Sequence, residues 1–413
     1  MKKYGCVGEK LTHSFSKEIH AALADYEYEL IELKRNEVEP FFKKRDFAAV
    51  NVTIPYKQTV IPFLDEISDV AKRIGAVNTI VNKDGKLYGY NTDYFGLKAL
   101  IEKVGADLSG KKVLVLGTGG TSKTALALAK DMGAREVLAV SRNAGENITY
   151  EEATTFHCDT DIIINTTPVG MYPDLDVKPI DISVFNSLEA VIDVVYNPLS
   201  TRLVLDAKAR GIKAEGGLYM LLMQAVFAAE KFLGKEIPKD TCEKLFASIL
   251  GNKQNIILTG MPGSGKSTVG KLLNIHGFEF FDSDKEIEKL CGKSIAELIK
   301  EKGEEYFRDL ESAVIKELSS KGGRIIATGG GAVLREENIT FLKQNGKIFF
   351  LDANLSRLIP TDDRPLSNTK KKLEKIYNDR IDIYKNTADV VVPDMDTPNK
   401  AAEYILLKRT ELI

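Results

Sequence analysis

Two glycine-rich segments built on different spacings have the residue types that hold phosphate: Gly117-Thr-Gly119-Gly120, and Gly260-Met-Pro-Gly263-Ser264-Gly265-Lys266-Ser267-Thr268. The second fits the P-loop pattern Gly-x4-Gly-Lys-Ser. In that pattern the N–H groups from Gly263 through Ser264 and Gly265 to Lys266 wrap the phosphates, Lys266 neutralises the transferring group and Ser267 ligates Mg²⁺. ATP or GTP binding follows, but no second substrate does. The first segment is less specific, because its third fingerprint position, residue 122, is Ser rather than Gly or Ala, and a structural turn would read the same way. The end of the next apolar run favours a dinucleotide. The acid that usually holds a ribose 2′-hydroxyl is replaced there by Ser141-Arg142, a pair suited to a 2′-phosphate, so the expected cofactor is NADP(H) rather than NAD(H).

Both loops sit where such chemistry needs them. Each follows a short β-branched run, Val113 to Leu116 or Ile256 to Thr259, and each opens an Ala/Leu/Lys-rich helical stretch whose N-terminus faces the phosphates. From Lys111 the text alternates a strand, the glycine loop, a helix stopped at Gly133, a strand from Glu136 to Ser141, and apolar runs at Asp161 to Asn165 and Ala190 to Val195. That alternation predicts an α/β fold with a parallel, doubly wound sheet. Residues 1–100 also alternate apolar runs with helical patterns but lack a nucleotide fingerprint, so this part is expected to hold the substrate. Gly217 to Leu233 reads as a strongly apolar helix, and on pattern alone a plain core helix remains open. A helix is expected to end near Leu250-Gly251-Asn252 and a new strand to start at Asn255, leaving a short connection.

Composition bounds the partners. A chain of 413 residues exceeds the usual size of one core, so two or three domains are expected. With 44% hydrophobic and 28% charged residues it buries ordinary cores, while a net charge of −2 gives no general attraction to nucleic acid or acidic membranes; small molecules are the expected partners. Cys6, Cys158, Cys242 and Cys291 lie far apart with no Cys-x-x-Cys pair, which argues against a disulfide framework and a zinc site and fits a reducing cytoplasm. His13, His20, His157 and His276 show no ligand spacing. Neither a signal peptide nor a membrane span is expected, because Met1-Lys-Lys has no apolar run behind it and no stretch of 18 apolar residues occurs.

Residues around the P-loop carry a family resemblance. Phe281-Asp282-Ser283-Asp284, Phe307-Arg308-x-x-Glu311, Gly329-Gly330-Gly331, Arg364-Pro365-Leu366 and Arg380-x-x-x-Tyr384 occur in the order and approximate spacing of shikimate kinases. Each alone is commonplace: Asp-x-Asp is usually a solvated turn, a triple glycine a loop, an arginine a surface charge. The resemblance implies that Arg308 and Arg380, with Gly330, hold the substrate carboxylate and ring, and that Glu311 orients Arg308. It implies that Asp284 binds ring hydroxyls and helps take a proton, that Asp282 stands with Ser267 near Mg²⁺, and that Thr268 completes the nucleotide loop. Arg364 would lie on a lid closing over the phosphates, and Arg357 near the adenine. A planar guanidinium suits a carboxylate, and an attacking hydroxyl needs a base nearby. The acids of Thr361-Asp362-Asp363 depart from a lid that is often more basic.

The first part resembles shikimate dehydrogenases, through Ser14-Phe-Ser16, Asn51-Val-Thr53-Ile-Pro-Tyr-Lys57, Gly75-Ala-Val-Asn78-Thr79, Asn91-Thr92-Asp93, Asn165-Thr-Thr-Pro-Val-Gly-Met171, Asp193-Val-Val-Tyr196-Asn-Pro198 and Gly217-Leu-Tyr-Met-Leu-Leu-Met-Gln224. The resemblance makes Lys57 the proton donor to the alkoxide formed when hydride reaches a ketone, with Asp93 as its partner. Ser14, Ser16, Thr53, Asn78 and Gln224 resemble the polar ring around the substrate, with Tyr196 a further contact. Gly117, Gly119, Gly120, Ser141, Arg142 and Gly217 would border the cofactor. The bland alternatives are a solvated turn lysine for Lys57 and a helix N-cap for Asp93. Glu146 stands where the family often has a second basic residue, and Tyr219 where a small residue near the nicotinamide is common.

Together the resemblances imply an α/β substrate domain in two pieces, 1–100 and 215–250, around a Rossmann-like NADP domain, 101–214. A linker at 251–254 and a P-loop NTPase-type parallel α/β kinase domain, 255–413, would follow. The implied activities are NADPH-dependent reduction of 3-dehydroshikimate to shikimate and Mg-ATP-dependent phosphorylation of shikimate. The rivals are a half kept as a silent nucleotide- or shikimate-binding module, and a quinate-type dehydrogenase. Oligomeric state is not legible.

Overall fold

The computed structural model describes residues 3–11, 16–143, 145–274, 277–358 and 369–412. It divides into two compact units. The first comprises Met1–Met171, Val177–Asn197 and Asp206–Phe246; the second comprises Tyr172–Asp176, Pro198–Leu205 and Ala247–Ile413. No helix among the described residues is long and apolar enough to cross a membrane.

The first unit holds two sheets. Strands β1 (Tyr4–Gly8), β2 (Tyr28–Glu32), β3 (Ala49–Val52), β4 (Glu66–Ile67), β5 (Thr79–Lys83) and β6 (Lys86–Tyr90) form a sheet of order β2-β1-β3-β5-β6-β4. It is mixed: β1 runs parallel to β2 and β3, but β5 is antiparallel to both β3 and β6. The reversal is a two-residue hairpin at Asp84-Gly85, whose φ angles of 51° and 86° are those of a type I′ turn. The next six strands, β7 (Lys112–Leu116), β8 (Glu136–Ser141), β9 (Ile148–Thr149), β10 (Ile162–Asn165), β11 (Ala190–Asp193) and β12 (Lys213–Glu215), form a wholly parallel sheet of order β12-β11-β10-β7-β8-β9. All five residues of β7 are buried, as a strand covered on both faces requires.

Helix Asp93–Val104 lies against helix Leu218–Leu233, and Gly96 makes the approach possible: a Cβ there would stand 2.7 Å from the Met220 carbonyl oxygen. Leu97, Leu100 and Ile101 on the first helix are fully buried. Truncating any one to Ala should cost about 2–5 kcal/mol. The segment Gly217 to Leu233, read as an apolar helix from the sequence, is a helix over Leu218–Leu233 closed by Gly234 at φ 65°.

His20, 1% exposed, stacks on Tyr28 with ring centroids 4.0 Å apart, and its Nδ1 lies 2.6 Å from the Tyr26 hydroxyl. Burial holds its pKa down, from 6.5 to about 3, so the folded imidazole stays neutral. Between these two values the unfolded chain binds a proton that the folded chain does not. The stability this neutral ring contributes is therefore whole above pH 6.5 and is lost as pH falls toward 3, by at most about 1.4 kcal/mol per pH unit. The denaturation midpoint of the first unit should fall with pH in that window, and His20→Gln should flatten the dependence. An unchanged slope in the variant would assign it to other groups.

The second unit is built on β13 (Asn255–Thr259), β14 (Glu279–Asp282), β15 (Arg324–Ala327), β16 (Gly346–Leu351) and β17 (Val390–Val392), all parallel, in the order β14-β15-β13-β16-β17. Leu175, 2% exposed, belongs to its core, and the Gln344 side chain donates to the Leu175 carbonyl at 2.6 Å. The connection differs from the expected one. The helix does not stop at Leu250-Gly251-Asn252 but runs Lys239–Lys253, so residues 251–253 are helical rather than a loop. Its last carbonyl is taken up by the Gly323 N–H at 2.9 Å instead of by a left-handed glycine cap.

Candidate active sites

The first unit contains a cavity of about 400 Å³ lined by Ser16, Thr53, Lys57, Asn78, Asp93, Tyr196, Gly217 and Gln224 among others. Lys57 lies in the turn after β3 and Asp93 is the first residue of helix Asp93–Val104. Their side chains meet, Lys57 Nζ to Asp93 Oδ2 at 2.6 Å, with 27% and 15% of each side chain exposed. Neither bland alternative is what the structure shows: Lys57 is paired rather than solvated, and Thr92, not Asp93, is the N-cap residue. A half-dry ammonium held by a carboxylate can deliver a proton to an oxygen in the cavity and stabilise negative charge there.

The rest of the ring is polar and oriented. Asn78 Oδ1 accepts the Thr92 N–H at 2.7 Å, so its Nδ2 is the donor left for the cavity. Gln224 donates to the Leu221 carbonyl at 2.9 Å, one turn back on its own helix, which steadies a polar end on an otherwise apolar helix. Burial pushes the Tyr196 phenol above its ordinary range and the Cys6 thiol up to about 11 despite the pull of Lys57, so both stay protonated. Tyr219 does not enter the cavity. Its ring packs edge-on to Phe246 at 5.0 Å, with Lys103 over both rings. Ser14 lies outside the described residues.

The first glycine loop fits a dinucleotide phosphate. Gly117 has φ 100°, and a Cβ there would stand 2.9 Å from Thr167; Gly119 and Gly120 have open space where a Cβ would project. Gly119 is the N-cap of helix Gly120–Asp131, whose free N–H groups suit an anion. Gly217 admits no side chain, because its Cβ would run into the Val194 backbone beside Tyr196. Ser141 ends β8 with its hydroxyl donated to the Asn143 carbonyl, and Arg142 is exposed beside Tyr150.

The second unit contains another cavity of about 400 Å³. It brings Gly263, Gly265, Lys266, Ser267, Thr268 and Asp282 of the phosphate loop region together with Asp284, Arg308, Gly330 and Arg380. Gly260, Gly263 and Gly265 have φ of 148°, 84° and 89°, which only glycine adopts freely. Ser264 Oγ is buried without a hydrogen-bond partner among the described residues, a polar atom that a nucleotide phosphate would satisfy. Lys266 Nζ donates to the Gly260 and Met261 carbonyls at 2.9 and 3.0 Å. Ser267 Oγ donates to Asp282 Oδ2 at 2.5 Å, while Asp282 Oδ1 caps the helix Ser283–Cys291. Adjacent hydroxyl and carboxylate oxygens fit Mg²⁺, which takes few protein ligands beside phosphates and water.

The substrate side is tightly built. Arg308, 7% exposed, donates from Nη1 to Glu311 Oε2 at 2.7 Å and from Nη2 to Glu304 Oε1 at 3.0 Å. Burial opposes its charge, but Glu311 and Glu304 outweigh it and hold the guanidinium more firmly protonated than usual. Burial also pushes the Glu311 carboxyl above the usual range, although Arg308 pulls it down. Each member of the triple glycine has a steric reason. A Cβ at Gly329 would stand 2.6 Å from Asp284 Oδ1 and Glu311 Oε1, one at Gly330 3.0 Å from Pro262, and one at Gly331 inside the Arg308 guanidinium. The Gly330 carbonyl accepts from Arg380 at 2.8 Å and from the Tyr384 hydroxyl at 2.5 Å.

Arg357 borders a separate cavity of about 190 Å³ that shares Gly263 and Gly265 with the larger one and also reaches Ser264, and is tied to Asp394 at 2.8 Å. Arg364 and the acidic segment Thr361 to Asp363 lie outside the described residues. Sequence reasoning missed Cys6 and Thr121 in the first cavity and Glu288, Ile295, Ile299 and Ile376 in the second. The four-residue spacing of Ile295 and Ile299 on helix Ile295–Lys302 was a usable signal for one face; Cys6 and Thr121 had none.

Comparison with known proteins agrees with both cavities. Residues 6–80 match the shikimate dehydrogenase substrate binding domain and residues 262–409 match shikimate kinase. A shikimate dehydrogenase (NADP(+)) of Clostridium perfringens is 39% identical over 268 residues, 60% of this chain and 98% of that protein. The structure of a chorismate mutase/shikimate 5-dehydrogenase fusion protein from Clostridium acetobutylicum is similar at TM-score 0.57 and 34% identity, covering 60% of this chain and 97% of that one. The shikimate 5-dehydrogenase of Thermus thermophilus, solved in complex with NADP(H) and shikimate, matches at TM-score 0.54 and 29% identity over 60% and 99% of the two chains. The chain therefore belongs, over its first part, to the shikimate dehydrogenase family, and carries a shikimate kinase domain behind it.

Proposed function

We propose that the protein carries out two consecutive reactions, reduction of 3-dehydroshikimate to shikimate and phosphorylation of shikimate to shikimate 3-phosphate. The observation that carries the first is the Lys57–Asp93 pair at 2.6 Å in a cavity with Thr53, Asn78 and Gln224. Bound NADPH supplies a hydride to the substrate carbonyl carbon. Lys57 gives its proton to the resulting alkoxide oxygen, so the ketone gains a hydride and a proton and becomes the alcohol, while Asp93 keeps the ammonium in place. Ser14, Ser16, Asn78, Gln224 and Tyr196 hold the ring substituents. Gly117, Gly119, Gly120 and Gly217 border the cofactor, and Ser141 with Arg142 favours its 2′-phosphate.

In the second reaction bound Mg-ATP supplies the phosphoryl group. Arg308, oriented by Glu311, and Arg380, beside Gly330, clamp the substrate carboxylate; Asp284 holds the attacking hydroxyl and takes its proton. Lys266 and Arg364 stabilise the transferring charge, Ser267 and Asp282 would hold Mg²⁺, and Arg357 would stand near the adenine. A cytoplasmic location suits both cofactors. A silent module is disfavoured because the Lys57–Asp93 and Arg308–Glu311 pairs stand in place in the two cavities, and a quinate-type reduction by the relatives' printed names.

Incubating the purified protein with 3-dehydroshikimate, NADPH and Mg-ATP should convert the substrate to shikimate 3-phosphate, read by mass spectrometry. Accumulated shikimate would reject the kinase half of the reading, and unchanged 3-dehydroshikimate the dehydrogenase half.

A further inference from the structure

We propose that Tyr28, which does not line the substrate cleft, is a positioning residue for it, acting through a chain of donors that runs Tyr28 to Asn51 to Thr79 to Asn78. The orientations of the Asn51 and Asn78 amides follow from the two ends. Asn51 Nδ2 lies 3.3 Å from the Asn78 carbonyl, which only accepts, so Asn51 must turn its nitrogen that way and its Oδ1 toward Tyr28. The Tyr28 hydroxyl therefore donates, at 2.6 Å. Asn51 Nδ2 also donates to Thr79 Oγ1 at 3.1 Å, and the Thr79 and Thr92 hydroxyls, 3.1 Å apart, supply Asn78 Oδ1 with a donor, from Thr79 at 3.1 Å or from Thr92 at 3.2 Å. At the far end the Thr92 N–H, which only donates, reaches Asn78 Oδ1 at 2.7 Å. Asn78 thus faces the cleft with Nδ2, a donor matched to a substrate hydroxyl or carbonyl oxygen.

Removing the Tyr28 hydroxyl strips Asn51 Oδ1 of this donor inside a site where Asn51 is 7% and Tyr28 4% exposed. Asn51 is then held only through its Nδ2 contacts to the Asn78 carbonyl and Thr79 Oγ1, with its Oδ1 short of a donor, so the support it gives Thr79 and Asn78 loosens. The consequence is felt in substrate binding rather than in hydride or proton transfer, because Lys57 and Asp93 are not in the chain of bonds. This inference rests on the dehydrogenase reading above.

The test is steady-state reduction of 3-dehydroshikimate by the full-length protein, Tyr28→Phe and Thr79→Val singly and combined. Each single change should raise KM for 3-dehydroshikimate about tenfold, with KM for NADPH within about twofold of the wild type. Since both act on one chain of bonds, the double variant should be little worse than Thr79→Val alone. An unchanged KM in Tyr28→Phe, or a double variant whose effect is the product of the singles, overturns the proposal. Turnover by the wild-type protein, read first, tests the functional reading separately, and the variant-to-wild-type ratios test this one.

Discussion

Lys57→Ala should lower the rate of 3-dehydroshikimate reduction by about 10²–10⁴-fold, the range expected when a general acid is lost, while phosphorylation of shikimate by the same molecules stays at the wild-type rate. The size of the effect follows from what else could replace the group. Asp93 has its Oδ2 on Lys57 at 2.6 Å and stays behind as a carboxylate with 15% of its side chain exposed, the wrong charge beside a developing alkoxide. Cys6 has a thiol held up to about 11, but it is neutral and offers the alkoxide no positive charge. Tyr196 is also neutral, its phenol raised by burial. Water can protonate the product oxygen, but without a fixed cation the charge that builds before protonation is unsupported. The loss should therefore appear in kcat at saturating substrate more than in KM. Asp93→Asn is the informative companion: it keeps a hydrogen-bond acceptor beside Lys57 but removes the charge, so it should cost less than Lys57→Ala. Reduction by Lys57→Ala within a few-fold of wild type would dismiss Lys57 as the proton donor.

The legibility of this chain depended on how local each signal was. The phosphate loops were readable because a turn of glycines between a strand and a helix is set by neighbours in sequence, and Gly117, Gly260, Gly263 and Gly265 do take left-handed or strained backbone angles. The parallel sheet on β7 followed from alternation of strand and helix, and the one on β13 from the kinase resemblance. The mixed orientation of the first sheet did not, although Asp84-Gly85 between two apolar runs is a strong hairpin signal.

What sequence could not supply is contact across distance. The family resemblance singled out Gln224 and the triple glycine, but only the structure gives reasons. Gly96 lets the Asp93 helix lie on the Gln224 helix, and Gly331 makes room for the Arg308 guanidinium. The Tyr28–Asn51–Thr79 bonds join residues 23 and 28 positions apart and leave no periodic trace. Helix Lys239–Lys253 runs just past its expected end for a related reason. Gly251 resembles a stop, yet the Lys253 carbonyl is taken up by the Gly323 N–H and the Gly251 carbonyl by Arg409, both far along the chain, and the helix continues to Lys253.

The kinase counterpart to the Lys57 experiment is Lys266→Met, which should cut phosphorylation by at least about 10²–10³-fold and leave reduction intact, so that shikimate accumulates from 3-dehydroshikimate. Met keeps much of the length and packing of the stem and removes only the charge. That matters because Lys266 Nζ now rests on the Gly260 and Met261 carbonyls, and the loop shape does not depend on those two bonds alone. The positive φ angles of Gly260, Gly263 and Gly265 set it, and Gly260 is further confined by Leu351, whose carbonyl oxygen would stand 3.0 Å from a Cβ. Nucleotide affinity should accordingly fall less than turnover, because backbone N–H groups hold the phosphates in ground and transition states alike, whereas the ammonium gains most where charge builds on the transferring group. Gly263→Ala gives the contrast: it strains the loop at φ 84° and should weaken nucleotide binding first. If Lys266→Met instead lost nucleotide binding and turnover in equal measure, Lys266 would be a ground-state phosphate anchor, and charge stabilisation during transfer would fall to the arginines of the site.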